Sequence, residues 1–289
     1  MDRRQSRRGN MRLLAVGACL LALSAGYVLL LRHFNVSELP GERHFGATGQ
    51  VAPAGEVYLE PVSIDPLNDA MQLRAYLSPS VTESKDAHGP PSRDLTLLVT
   101  HDKTVEEIKL AAADQIASST FEIDLNDGTV AHYPLDAYRS QFGVQLLDGK
   151  SSLRLPVRVT MWEGMLGYNL HTTNQPQADP QNLELTTTIK RSGAFALFGL
   201  CAYAAMVVLG VCALVVGVLT FIDARPAEAT LIGALAAIAF ALPVLRNALP
   251  GSPPLGVEAD MWVFLWTELA AVIGLALLVF KWAKAGPDP

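Results

Sequence analysis

Six histidines, His33, His44, His88, His101, His132 and His171, are the first residues to test for chemistry. None stands at the His-x-x-x-His or Glu-x-x-His spacing that would put two zinc ligands on one helix face. No Gly-x-Ser-x-Gly elbow, phosphate loop or dinucleotide fingerprint occurs. Asp124-Leu125-Asn126-Asp127-Gly128 has the residue types of a calcium loop, but the spacing is off by one residue and no glutamate closes it. A hairpin turn is the better reading of that run. With no catalytic constellation and no metal or cofactor motif, the chain reads as a binding protein rather than an enzyme.

Three other places hold candidate functional residues. Glu268 lies seven residues past Met261 in an otherwise uncharged run, about 10 Å along a helix at 1.5 Å per residue. A carboxylate at membrane depth is costly, so it either bonds helices together or handles a proton or ion. Thr267, Lys190, Arg191 and Arg246 are its candidate neighbours. In Tyr133-Pro134-Leu135-Asp136-Ala137-Tyr138, proline fixes the backbone, Asp136 accepts neighbouring N–H groups, and Tyr133 and Tyr138 anchor the ends. This predicts a corner between strands, with an interaction surface at the membrane-facing end as the functional alternative. The stretch from Arg246 to Gly256 is dense in proline and glycine, Pro250 and Gly251 among them, and Asp260 stands where a helix N-cap belongs. It reads as a rigid connector or as a docking surface under the outer domain.

The elements that must position these residues are visible in the charge distribution. The chain has 289 residues, a net charge of -6 and only 17% charged residues, against about 25% in a soluble domain. Leu13–Leu31 (19 residues), Ala194–Ile222 (29) and Ala229–Leu245 (17) carry no charge, and Met261–Phe280 (20) carries only Glu268. About 20 apolar residues span a bilayer, so four transmembrane helices are expected over 13–31, 194–222, 227–245 and 261–280. Buried soluble helices rarely run this long without a polar face.

The first run follows Arg3, Arg4, Arg7, Arg8 and Arg12. At 19 residues it exceeds a signal-peptide core, so an uncleaved signal anchor is expected, and Cys19 reads as a small core residue. The positive-inside rule then puts 1–12 and 281–289 in the cytoplasm, 32–190 outside, and 246–260 in an outer loop, with Arg246 as an exception. Trp262 and Trp266 fall near the outer end of the last span and Trp282 near the inner end, as interfacial aromatics do. The lipid bilayer is the first partner implied. A membrane or envelope protein, or a second copy of the chain, is the next.

Residues 32–190 hold 12 Lys+Arg and 21 Asp+Glu, a net of -9, which argues against nucleic acid. They contain no cysteine, so a packed core must hold them. Alternating runs at Val57–Ile64, Met71–Leu77, Leu95–Thr100, Phe121–Leu125, Val144–Leu147, Leu153–Val159 and Leu183–Ile189 predict six to eight strands. The fold class is therefore α+β: an extracytoplasmic, Ig-like β-sandwich plus four transmembrane helices, one N-terminal and three C-terminal. Residues 78–93, with three prolines, predict a loop, and Thr104–Ala117 is ambiguous, with a short helix in its middle as one reading.

The order of one N-terminal helix, a β-rich outer domain and three C-terminal helices resembles a bacterial family, the domain of unknown function 4436. The residues that carry the likeness are Tyr133–Tyr138, Leu249-Pro250-Gly251-Ser252-Pro253-Pro254-Leu255-Gly256 and Asp260–Glu268. The resemblance covers nearly the whole chain and implies a plasma-membrane location in mainly high-GC Gram-positive bacteria, with nothing catalytic. Tyr133-Pro134-Leu135-Asp136 is also similar to the Phe-Pro-Phe-Asp loop of pentameric ligand-gated channels. Those channels place four helices after the sandwich, and the Ala229–Leu245 run lacks the polar rings of a pore.

Overall fold

The computed structural model describes residues 21, 24–33, 41–47, 52–79, 93–102, 104–112, 114–175 and 181–284. Alternation of apolar and polar residues builds two sheets. In the first, the strand order is β1 (Glu42–Gly46), β10 (Val157–Trp162), β2 (Gly55–Asp65), β3 (Ala70–Pro79) and β6 (Ala117–Asp124). In the second it is β11 (Gly164–Met165), β12 (Tyr168–Gln175), β13 (Leu183–Arg191), β8 (Ala137–Asp148), β4 (Leu95–His101) and β5 (Thr104–Leu110). Two short strands, β7 (Asp127–Gly128) and β9 (Arg154–Leu155), also pair with β8. The pair β10–β2 is parallel.

Leu59, Leu73 and Met161 from the first sheet and Leu97, Val144, Leu146 and Ile189 from the second are fully enclosed in one shared core. The domain is thus a two-layer sandwich. Each such side chain contributes roughly 1.5–3 kcal/mol by leaving water, which lets the domain hold together without disulfides.

Four local expectations change. Residues 104–110 form β5, an edge strand, with no helix among the described residues of 104–117. Asn126-Asp127-Gly128 is not a hairpin turn, because β6 and β8 lie in different sheets and Asp127-Gly128 instead pairs with Arg139 and Tyr138 as β7. Leu153–Val159 is not one strand either. Pro156, which has no N–H to give a ladder, separates β9 in one sheet from β10 in the other. The described strands number thirteen rather than six to eight, three of them only two residues long. The loop 80–92 and Cys19 lie outside the described residues.

Among the described residues, three helices are long and apolar enough to cross a membrane: α2 (Gly193–Phe221), α3 (Ala229–Asn247) and the segment Asp260–Lys284, which opens with a π-helical turn, Asp260–Phe264, and continues as α4 (Leu265–Lys284). The N-terminal run is helical over 24–33 (α1), too short to count as a fourth span, and 13–20 lie outside the described residues.

On α2 the buried residues Tyr203, Met206, Gly210, Ala213, Gly217 and Thr220 step by three and four. On α4, Thr267, Ala271, Gly274 and Leu278 do the same. Such a repeat keeps one face turned to one neighbour. Glycines let the two backbones close in: Gly217 abuts the Gly274 backbone and Gly210 abuts Thr267. By contrast α3 buries only Leu235, Leu242 and Arg246, and Phe240 is 79% exposed.

Candidate functional site at the base of the β domain

Strand register brings the Tyr133–Tyr138 motif to the helices. Ala137 of β8 lies opposite Lys190 of β13, Tyr168 of β12 lies opposite Arg191, and Ser192 alone separates β13 from α2. Ahead of β8, the Thr129 hydroxyl accepts from Ala131 N–H and caps a 3-10 turn, after which a cis Tyr133–Pro134 bond turns the chain.

The resulting corner is closed around a charge. Asp136 is 1% exposed. One carboxylate oxygen accepts from Arg191 Nε at 2.6 Å and the other from the Tyr138 hydroxyl at 2.6 Å. The Arg191 guanidinium lies 4.7 Å from the Tyr133 ring centroid and 5.2 Å from that of Tyr168, within cation–π range. The Tyr133 hydroxyl donates to the Pro250 carbonyl at 3.1 Å. Gly251, at φ +75°, lies so close to Arg191 Nη1 that a Cβ would strike it, so the 246–260 loop needs glycine here for both reasons. The motif is therefore a corner, and its lower side is a contact with the 246–260 loop. Leu135 stays exposed.

A second enclosed pair lies just below. Asp260, 3% exposed, accepts from Arg246 Nε at 3.0 Å and Nη2 at 2.5 Å, from the Tyr203 hydroxyl at 2.9 Å and from Gly256 N–H at 3.0 Å. Arg246 also donates to the carbonyls of Pro253 and Pro254 at 2.9 and 2.6 Å. Asp260 is thus not an N-cap. It sits inside the π-helical turn and faces back into the loop. The prolines supply the carbonyls that hold Arg246, so the loop is folded around the ion pair.

Burial pushes Tyr133 up to about 12, with Asp136 adding to the shift and Arg191 and Arg246 opposing it. Burial, then the bond to Asp136, raises Tyr138 further, and burial also raises Tyr168. Burial works against the Arg191 charge, but Asp136 outweighs it and the net shift is upward. The tyrosines stay neutral and Arg191 charged through the physiological range. The arrangement suits a fixed joint, not proton transfer near neutral pH.

Neither arginine turns to Glu268: Arg191 is held by Asp136 and Arg246 by Asp260. The Thr267 hydroxyl donates to the Val263 carbonyl at 2.6 Å, so it does not serve Glu268 either. One Glu268 carboxylate oxygen is buried with no hydrogen-bond partner among the described residues.

Away from the joint, the outer face of the second sheet carries a polar groove of about 280 Å³, lined by Thr100, Asp102, Gln141, Gln145, Glu184 and Thr186 among others. Gly143 lies in the central strand of that groove. Among the described residues, no three His, Cys, Asp or Glu side chains are grouped to hold a metal ion.

Residues 47–188 match the family model of a domain of unknown function, DUF4436. The β domain belongs to that family. A second family model, the domain of unknown function DUF8686, matches residues 191–285. The likeness to the 4436 domain therefore does not extend over nearly the whole chain. Tyr133–Tyr138 lies inside the 4436 domain, whereas the Leu249–Glu268 stretch belongs to the second domain. No curated protein matches the chain.

Arg191, Tyr168, Tyr203 and Arg246 complete the joint, a role that sequence reasoning does not assign them. A signal for two of them exists in the sequence. Arg191 and Arg246 each stand at the end of a long apolar run, and an arginine enclosed beside apolar helices needs a local acid.

Proposed function

We propose that this chain is a multi-pass plasma-membrane protein, with residues 13–31 as a fourth span, both termini in the cytoplasm and 32–190 outside, and that it acts as a binding or accessory protein rather than an enzyme. Its Ig-like outer domain meets an envelope partner or ligand, and the helices below take up the load of that contact. The carrying observation is the joint. Two buried Arg–Asp pairs, one at the base of the β domain and one in the 246–260 loop, flank the Tyr133–Pro250 hydrogen bond that ties the β domain to that loop. A tether that only localised the domain would not need two enclosed charge pairs, each costly to desolvate. The polar groove beside Gly143 offers a place for a ligand on the outer face.

Crosslinking in native membranes, followed by identification of the captured proteins and lipids, tests this reading. The intact chain should capture a specific partner, and a chain lacking 32–190 but retaining its spans should not. Capture that survives the deletion would move the contact into the membrane and sink the proposal.

One observation favours a second reading, a transport or channel component. The Glu268 carboxylate has a buried, unpartnered oxygen within an apolar helix, and an intramembrane carboxylate is a candidate for handling protons or ions. Glu268→Gln separates the two. The transport reading expects loss of function at normal abundance and assembly, whereas full activity in the variant excludes it.

A further inference from the structure

The loops at the membrane end of the β domain carry large apolar side chains that none of the described residues covers. Leu67, in the β2–β3 turn, is 61% exposed. That turn is held at the base because Leu125 N–H donates to Asp69 O at 2.7 Å and Asn126 N–H to Arg139 O at 2.8 Å, next to Tyr138. Leu135, at the tip of the corner, is 60% exposed, and its neighbour Pro134 lies against Gly199 of α2. Leu166, 87% exposed, is the first residue of the β11–β12 turn. The next residue, Gly167, accepts from Ser192 N–H at 2.9 Å and faces the Phe195 ring. Leu255, 79% exposed, projects from the outer loop between Pro254 and Gly256.

Single exposed leucines are ordinary. Here four of them come from four separate segments, each adjoining the joint or the helix ends. Beside them the first turns of the helices are apolar too, where Phe198 of α2 is 60% exposed and Trp262 is 77% exposed. Trp262 belongs to the residue type that marks a membrane interface.

We propose that Leu67, Leu135, Leu166 and Leu255 form an apolar collar seated in the interfacial region of the outer leaflet, so that the β domain rests in the lipid rather than standing above it. This rests on the membrane reading above. The occupant is lipid because the collar is continuous with apolar helix faces that no other described residue covers. The contact is apolar, since the acidic groups of this end, Asp65, Asp69, Asp127 and Glu258, stand among Arg139, His132 and Lys190 and leave no one-signed patch for charged headgroups. It also places the Asp136–Arg191 pair beside the lipid, in a setting where water is scarce and an enclosed pair is favoured over an open one.

The test uses the full chain in phosphatidylcholine nanodiscs, with Cys19, Cys201 and Cys212 replaced by alanine and a nitroxide attached in turn to Leu67→Cys, Leu166→Cys and Leu255→Cys. Collision with oxygen, enriched in lipid, is compared with collision with a water-soluble nickel chelate. Leu153→Cys, on an apolar residue 63% exposed at the far end of the domain, is the water control, and Val215→Cys in mid-α2 is the lipid control. The proposal expects the three collar sites to favour oxygen several-fold over the chelate, with Leu153 showing the reverse order. Collar sites that behave like Leu153 while Val215 behaves as lipid-exposed would overturn the collar and leave the membrane reading standing. A Val215 label open to the chelate would overturn both. Collar sites shielded from both agents would mean that protein covers them, which also overturns it.

Discussion

At the scale of single residues, Asp136 has the largest predicted effect. It is the counter-ion of Arg191 and the acceptor for Tyr138, and it is sealed from water. Asp136→Asn leaves the arginine charge buried and unpaired, with an expected loss of about 3–5 kcal/mol, read as a lower denaturation midpoint of the detergent-solubilised chain. Tyr133→Phe removes one hydrogen bond to Pro250 and is expected to cost only about 0.5–1.5 kcal/mol by the same measurement. The tyrosines also set an alkaline limit. Their folded-state pKa values lie above the ordinary 10.0, so the stability they contribute is complete below pH 10 and is lost as pH rises through about 12 for Tyr133. Phenolate absorbance should show Tyr133 and Tyr138 ionising above pH 10 and together with unfolding. Asp148 behaves in the opposite sense. Backbone N–H groups of Ser151 and Lys150 hold its carboxyl down at about 2. Its contribution to the β8–β9 turn is therefore present above pH 3.8 and fades as pH falls toward 2, so Asp148→Asn should differ from the parent chain at pH 6 and converge with it at pH 2.

At the scale of elements, the crossing of α2 and α4 depends on the absence of side chains. Gly217→Leu would drive atoms into the Gly274 backbone and should separate the helices. Gly233 of α3 has open space on the side where a Cβ would stand, with nothing within 4 Å, so Gly233→Ala should be neutral or stabilising by up to about 1 kcal/mol. Unfolding in graded detergent mixtures compares the two variants. This crossing was not legible in advance, because α2 is apolar all round and its lipid-facing and helix-facing sides differ only in residue size. The strands were far more legible, since a sheet with one wet face writes itself as alternation, as in Met71–Leu77. Turn residues were read less well. Asn126-Asp127-Gly128 and Pro156 do mark changes of direction, but a turn signal does not say whether the next strand stays in the same sheet. The Asp136–Arg191 pair joins positions 55 residues apart, and no local spacing rule reaches that far.

At the scale of the whole molecule, the two family models meet at the joint. Asp136 falls in one and Arg191 begins the other, so the enclosed ion pair is shared between two domains that are separately recognisable. Exchanging the 4436 domain for another that lacks an acid at the position of Asp136 should give a chain that inserts but is cleared, measurable as low abundance with normal membrane targeting. The helices are not bound into this assembly equally. Seen as a beam, α3 is clamped at Arg246 and held along the rest of its length by Leu235, Leu242 and a few partly buried neighbours. Ala229 stands 17 residues from that clamp, about 26 Å at 1.5 Å per residue. A tilt of about 10° at the clamp therefore swings the Ala229 end by about 5 Å on that length. A tight joint at the β-domain end and a sparsely packed rod leading away from it make the chain a lever, in which the smallest displacement is at the β domain and the largest is at the Ala229 end of α3.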